Sequence, residues 1–483
     1  MHPAQVSVVP PALIKAPDPL FVVSVQPTDA HCGLTLPGRK PSLRDSEGGN
    51  ISPAEIDLAR FAPILNIYFC NLTMAQTQNR YLIILILGAL STISPFAIDM
   101  YLPAFPQVAA ALHTSTARVS LSLASYFAGL AAGQLFYGPL LDRFGRKLPL
   151  YAGLTLFMAA SLLCLGSRTV EWLVAMRFVQ ALGGCAAQVA GMAMVRDFFH
   201  VDETAKIISL LILVISASPL LAPSVGSFVA VYLGWQWVFI VLALFVALML
   251  VVAKWALPDG HPADPSVSLR LQPIFANYAL VLKEPQFITY SLAGAFAFSG
   301  LLVYVASSPI IFMEVFKVSP QVFGAIFAGL SVGFIGSNQI NVLLLRRFTS
   351  EQIFRGALLV ECPAALLLLA GTYFGWFGLP ATLVMLFITL SSLGLAYPNA
   401  AALAMVPFDR NIGSAAAMLG FLQIGVAGLA SAIVGIFNSH TLLPVALILA
   451  ATSWTGFGIL IIGKRRMHGL RFVEEKGATF LPH

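Results

Sequence analysis

The sequence predicts an all-α membrane protein with twelve transmembrane helices in two pseudo-symmetric six-helix bundles. Three observations predict it. The 483 residues are 58% hydrophobic and only 10% charged, against roughly 25% charged in a soluble globular chain. Apolar runs recur from Tyr81 to Gly463, each near the roughly 20 residues that carry a helix across about 30 Å of hydrocarbon. Segments of the first half also reappear, in order, in the second.

The apolar runs place spans at 81–101, 119–141, 148–166, 171–194, 206–229, 236–257, 287–308, 322–343, 352–374, 380–404, 412–436 and 441–463. The basic residues then sort by side. Arg143, Arg146, Lys147, Arg196, Lys206, Lys254, Arg270, Lys283, Arg346, Arg347, Arg355, Arg410, Lys464, Arg465 and Arg466 fall on one face, and only Arg118, Arg168 and Lys317 on the other. Short loops rich in Lys and Arg stay cytoplasmic, so the basic face is inside, and the even span count puts both termini there. The net charge of +6 is thus a topology device facing anionic headgroups, and no basic and aromatic patch points to nucleic acid. Cys164, Cys185 and Cys362 fall within spans, and Cys32 and Cys70 in the N-terminal region, without metal or disulfide spacing. They read as small buried hydrophobes, so no metal is expected.

Residues 1–73 differ from the rest: they are Pro-rich, lack helical periodicity, and hold one apolar stretch near Phe61–Phe69 that is too short to span. They are expected to be a disordered or non-native extension, with translation beginning at Met74, and they lack the basic start and long apolar core of a cleavable signal peptide. The remainder divides into a bundle at 74–257, a cytoplasmic linker at 258–286, a second bundle at 287–463 and a cytoplasmic tail at 464–483.

The internal repeat carries this division. FAGLAAG at 127–133 recurs as FAGLSVG at 327–333, and at the same offset Arg146 and Lys147 fall on Arg346 and Arg347. The run from Leu182 to Val195 likewise resembles that from Leu393 to Val406, which lays Gln188 over Asn399. Parallel repeats of this kind place substrate near the midplane where the halves meet, and they alternate access by rocking about it.

The loop after the second span reads GPLLDRFGRK from Gly138 to Lys147. Its glycines, Gly138 and Gly145, suit a sharp turn and close helix approach; Asp142 is placed to cap a neighbouring helix, and Arg143 to pair with Asp197 at the end of the fourth span. This loop resembles the signature of the major facilitator superfamily, G-x-x-x-D-R-x-G-R-[RK], without departure. The resemblance implies that Gly138, Asp142, Arg143, Gly145, Arg146, Lys147 and Asp197 latch the cytoplasmic side of the two halves. The copy at Val342 to Arg347 keeps the positive charges and has lost the Asp and the glycines.

Further matches narrow the resemblance. Arg177, Gln180 and Gly183 resemble the R-x-x-Q-G-x-G pattern, with Ala181 in place of its first Gly, and Ser218 to Ser227, with Pro219, Ala222, Pro223 and Gly226, resembles the antiporter motif of the fifth span. Asp99-Met-Tyr-Leu-Pro103, Tyr304 to Pro309 and Pro398-Asn399-Ala are similar to the Bcr/CflA (bicyclomycin/chloramphenicol resistance) type of drug:proton antiporter. Gln236 departs from the Arg common there. The resemblance implies a proton-coupled exporter of small, mostly lipophilic drugs, working as a monomer in a bacterial inner membrane on the proton gradient, without a cofactor.

Ionisable groups inside spans are costly unless paired or facing water. Asp99 and Arg177 both fall in the outer third of the bilayer, counted at about 1.5 Å per residue, and are expected to pair; the resemblance implicates both in coupling. Glu361 lies near the bilayer middle beside Pro363 and is a further candidate for the proton. Tyr126, Gln188, Tyr304, Asn399 and Gln423 are expected to line the substrate cavity, as the few polar groups of an apolar site. The alternatives are export of one metabolite, an amino acid or sugar derivative, or proton-coupled uptake. An enzyme is not expected: no phosphate-binding loop, His-Glu-x-x-His pair or nucleophile elbow occurs.

Overall fold

The computed structural model describes residues 80–199, 207, 210, 211, 214–267, 269–408, 411–437 and 441–467. Twelve helices are long and apolar enough to cross a membrane: α1 (Arg80–Ala111), α2 (Thr116–Phe144), α3 (Lys147–Leu165), α4 (Val170–Phe198), α5 (Val214–Tyr232), α6 (Trp235–Ala256), α7 (Pro285–Val315), α8 (Pro320–Leu344), α9 (Ser350–Tyr373), α10 (Leu379–Met405), α11 (Ile412–Phe437) and α12 (Leu443–Arg466). A shorter linker helix, Leu271–Leu282, lies between α6 and α7, and no strand occurs among the described residues. The N-terminal region with Cys32 and Cys70, Lys206, Arg410 and the tail beyond Met467 lie outside those residues. Cys164, Cys185 and Cys362 are buried free thiols.

The expected spans agree with these helices to within a few residues except at α1 and α7, where proline is present; the start expected of α5, at 206, lies partly outside the described residues, and proline follows a turn within that helix. Past a turn at Met100 and Tyr101, α1 runs on through a 3-10 segment, Leu102–Ala104, and a last helix, Phe105–Ala111; Pro103 and Pro106 cannot donate to an α-helical ladder. In α5 a turn at Ala217 interrupts the helix just before Pro219. In α7 the helix passes into a π-helix, Ile310–Val315, after Pro309. Pro309 lacks the N–H that would bond the Val305 carbonyl, and the Ser308 hydroxyl donates to that oxygen instead at 2.8 Å, as helices in lipid require.

The two halves repeat the same helix pairs. In the first, α2 packs on α4, and α3 on α4 and α6; in the second, α8 packs on α10, and α9 on α10 and α12. Matching glycines permit matching contacts: a Cβ on Gly133 would meet Cys185 at 2.6 Å, and one on Gly333 would meet Ser391 at 2.6 Å. Small residues of this kind replace the hydrophobic driving force that lipid cannot supply. The outward faces keep Leu244, Leu248 and Ile462 exposed, where acyl chains solvate them.

The halves meet along α2 against α11 and α5 against α8. Gly435 lies against Leu121, Gly428 against Phe127 and Gly420 against Gln134, so the α2–α11 contact runs nearly the length of both helices. The end of α1 also packs on α5, α7 and α8, which carries a first-half helix onto the second half.

Candidate transport site and cytoplasmic latch

Asp99 closes the first helical stretch of α1 and is 6% exposed. Its Oδ2 accepts a hydrogen bond from the Ser218 hydroxyl of α5 at 3.3 Å, and Tyr304 of α7 lies within electrostatic reach. The neighbourhood is tight because Gly226 lets α5 press on α1: a Cβ there would run into the Met100 carbonyl. Ala222 and Pro223 are buried in the same helix and Pro219 is part-buried beside its interruption, so the small residues of the antiporter motif form the seat of α1.

Arg177 does not pair with Asp99, a correction to the expected geometry. Its guanidinium lies over the rings of Tyr126 and Tyr101, 4.2 and 4.9 Å from their centroids, with Phe239 at 5.9 Å. It donates to Gln180 Oε1 at 2.5 Å and to the Ala97 carbonyl at 3.1 Å, and Gln180 in turn donates to Ser161. Aromatic faces and amide oxygens thus stabilise a cation that is 0% exposed. The carboxylate is reached from α5 instead, because Arg177 points back to the carbonyl two residues before Asp99.

Glu361 has a partner that spacing gave no sign of. Ser453 of α12 donates to its Oε1 at 2.6 Å, while Oε2 has no partner among the described groups. Both residues are fully buried, in the contact of α9 with α12.

Of the residues expected to line the substrate cavity, only Gln188 is part-exposed; Tyr126, Tyr304, Asn399 and Gln423 are buried. Asn399 donates to Asn341 Oδ1 at 2.7 Å and to the Leu395 carbonyl, so it ties α10 to α8 and is not open to a cavity. Tyr304 stacks on Phe327, with centroids 5.5 Å apart. The Tyr304 hydroxyl and Gln423 Nε2 lack hydrogen-bond partners among the described groups.

The signature loop corrects three further expectations. Arg146, not Arg143, reaches Asp197, at 2.8 Å, and it also holds Asp142 at 2.7 Å. Asp142 caps no helix; its side chain is taken by Arg146. Gly138 sits inside α2 with nothing near an added Cβ, whereas Gly145 turns the chain with φ of 77°. Burial opposes the charge of Arg146, but hydrogen bonds and charge from Asp197 and Asp142 outweigh it and raise its proton affinity above the ordinary arginine value.

Sequence reasoning missed that this cluster binds the linker. Arg143 donates to the Pro265 and Val267 carbonyls, Asp264 N–H to the Asp142 carbonyl, and His261 N–H to Asp197 Oδ2, while Lys147 pairs with Asp259 at 2.6 Å. The Tyr278 hydroxyl of the linker helix donates to the Leu135 carbonyl at 2.7 Å, the oxygen that Pro139, four residues on, cannot serve.

Comparison with known proteins agrees with this architecture. Residues 87–435 match the Major Facilitator Superfamily. The chain is 31% identical over 382 residues to an uncharacterized MFS-type transporter, YdgK, of Bacillus subtilis, covering 78% of this chain and 94% of that one. It is 30% identical over 387 residues to a bicyclomycin resistance protein homolog of Haemophilus influenzae, covering 78% and 95%, and 31% identical over 339 residues to the multidrug resistance protein MdtL of Escherichia coli, covering 70% and 84%. Among solved structures, a D-xylose-proton symporter superposes with a TM-score of 0.63 at 15% identity, covering 79% of this chain and 98% of that one, a likeness of fold. With the duplicated helix pairs, the signature loop and these matches, the chain belongs to the Major Facilitator Superfamily of membrane transporters.

Proposed function

We propose that this transporter exports small, mostly lipophilic molecules across a bacterial inner membrane in exchange for protons, as a monomer with both termini in the cytoplasm. The observation that carries the reading is the position of Asp99. It is a buried carboxylate held by α5 of its own half and within reach of Tyr304 in the other. Rocking of one half against the other alters such surroundings, and the proton affinity of a carboxylate follows its surroundings. The Tyr304 ring stacks on Phe327 and its hydroxyl is unpartnered among the described groups, which suits varied apolar substrates with few fixed hydrogen-bonding demands. The names of the bicyclomycin resistance homolog and of MdtL support the drug-export part.

The test is Asp99→Asn, nearly isosteric and unable to titrate. The variant is expected to reach the membrane normally, to bind drug with little dependence on pH, and to lose efflux driven by a pH gradient in inverted vesicles. Accumulation against a gradient with the wild-type pH response would assign Asp99 a structural role only.

A further inference from the structure

The second half carries a groove whose lining includes none of the candidate transport residues. It lies between α7 and α12 at the basic, cytoplasmic end, has a volume of about 470 Å³, and its floor is Ile288, Leu292, Ile459 and Ile462. Thr289 and Gly463 let the two helices close at its base: a Cβ on Gly463 would collide with the Thr289 side chain. The Thr289 hydroxyl is spent on the Pro285 carbonyl at 2.7 Å, so the floor offers no polar partner to water.

Two cations, Lys283 and Arg466, also line the groove. Both are exposed, and neither has an ion-pair partner among the described residues. The neighbouring charges do not cancel them: Lys464 is engaged by Glu351, Arg465 adds a further positive charge, and Glu284, beside Lys283, is the one acid adjacent to either cation in the chain. Another groove on this half, of about 510 Å³ between α9 and α12, is lined by Leu366, Leu369, Ala370, Tyr373, Leu443 and Leu447, with no cation among them. The α7–α12 groove thus joins an apolar trough, open toward acyl chains, to a pair of uncompensated positive charges at headgroup height.

We propose that this groove is a binding site for an anionic phospholipid, its phosphate between Lys283 and Arg466 and an acyl chain along Ile288, Leu292, Ile459 and Ile462. The occupant is a lipid and not a free anion, because the trough lies on the face of the helices that meets the bilayer. Basic pockets between helices on the cytoplasmic side have the charge for such headgroups.

The experiment uses the full-length protein in detergent, delipidated and then given phosphatidylglycerol, phosphatidylcholine or inorganic phosphate. Retained adducts are read by native mass spectrometry, and unfolding by a thiol-reactive dye that, with Cys32 and Cys70 replaced by Ser, reports exposure of Cys164, Cys185 and Cys362. Phosphatidylglycerol is expected to survive as an adduct and to raise the unfolding temperature by several degrees more than phosphatidylcholine. That difference should vanish in Lys283→Gln/Arg466→Gln and persist in Lys283→Arg. Leu292→Trp, which fills the trough and keeps both charges, should lose it too, so the result does not depend on one variant folding. Equal stabilisation by the two lipids, reproduction of the effect by inorganic phosphate, or full phosphatidylglycerol preference in the double variant would each overturn the proposal.

Discussion

Arg146 Nε lies 2.8 Å from Asp197 Oδ2 while its Nη1 lies 2.7 Å from Asp142, so one guanidinium joins the ends of α2 and α4 across the start of α3. Arg143, one turn earlier, holds the linker by its carbonyls. Asp142→Asn is expected to leave membrane abundance unchanged and to lower efflux, because charge is cheap at this surface and only the cycling contact is weakened. Arg146→Gln should lower efflux further, since it releases both carboxylates, and should make the linker more sensitive to protease. The contribution of Asp264 to the linker turn is expected to be insensitive to pH in the physiological range. Hydrogen bonds from the Ser266 hydroxyl and N–H hold Asp264 below the usual carboxylate range, so the turn's contribution is complete above about pH 4 and is lost only as pH falls further. Cleavage that still rises between about pH 8 and pH 5 in a His261→Gln background would contradict this assignment.

Tyr278 and Pro139 form a thermodynamic pair. Pro139 leaves the Leu135 carbonyl without its helical donor, and the Tyr278 hydroxyl supplies one from the linker helix. Burial raises the Tyr278 hydroxyl above its ordinary value, so it remains a donor throughout the physiological range. Tyr278→Phe is expected to cost about 1 kcal/mol of thermal stability, and most of that cost should disappear in a Pro139→Ala background, where the helix serves its own carbonyl. Equal costs in both backgrounds, measured as a double-mutant cycle, would mean that the phenol only packs.

The helices were legible because hydropathy integrates over some twenty residues, and the repeat because α8 and α10 kept the packing glycines of α2 and α4, as Gly133 and Gly333 do. Legibility failed where the answer turned on a partner far away in sequence. Nothing in the residues around Glu361 points to Ser453, 92 positions later. Whether Arg143 or Arg146 meets Asp197 depends on where α2 ends and how Gly145, at φ of 77°, swings the chain into α3. The pairing expected of Asp99 and Arg177 rested on equal depth, and depth fixes height but not azimuth. Arg177 found Tyr101 and Tyr126 on one side while Asp99 turned to Ser218.

The repeat lays Gln188 over Asn399, yet the two differ in what they meet. Gln188 is part-exposed on α4, while Asn399 is 1% exposed and bonded to Asn341. In a background freed of all five native cysteines, Gln188→Cys is expected to react with a small polar maleimide, and Asn399→Cys to react at least tenfold more slowly. Asn399→Leu should also destabilise the contact of α8 with α10 by about 1–3 kcal/mol, since it leaves the Asn341 amide oxygen buried without its donor. Comparable labelling at both positions would place Asn399 on an accessible wall.

Two buried carboxylates compete for the coupling role, and their positions separate them. Glu361 and Ser453 lie in the contact of α9 with α12, inside the second half. When two halves rock as bodies, contacts within a half persist, so Glu361 keeps its surroundings through the cycle. Asp99 sits where the end of α1 meets α5 and α7, and on the proposed mechanism its surroundings change. Glu361→Gln keeps the side-chain volume and an oxygen for the Ser453 hydroxyl but cannot titrate. It is expected to retain pH-gradient-driven efflux within about twofold of wild type, and that margin corresponds to about 0.4 kcal/mol. Ser453→Ala removes the one hydrogen bond that Glu361 makes among the described groups and should cost about 1–3 kcal/mol of thermal stability, with efflux per folded molecule preserved. If Glu361→Gln instead abolishes the pH response while Asp99→Asn keeps it, proton coupling resides in the α9–α12 contact, and the second half must then rearrange internally during transport.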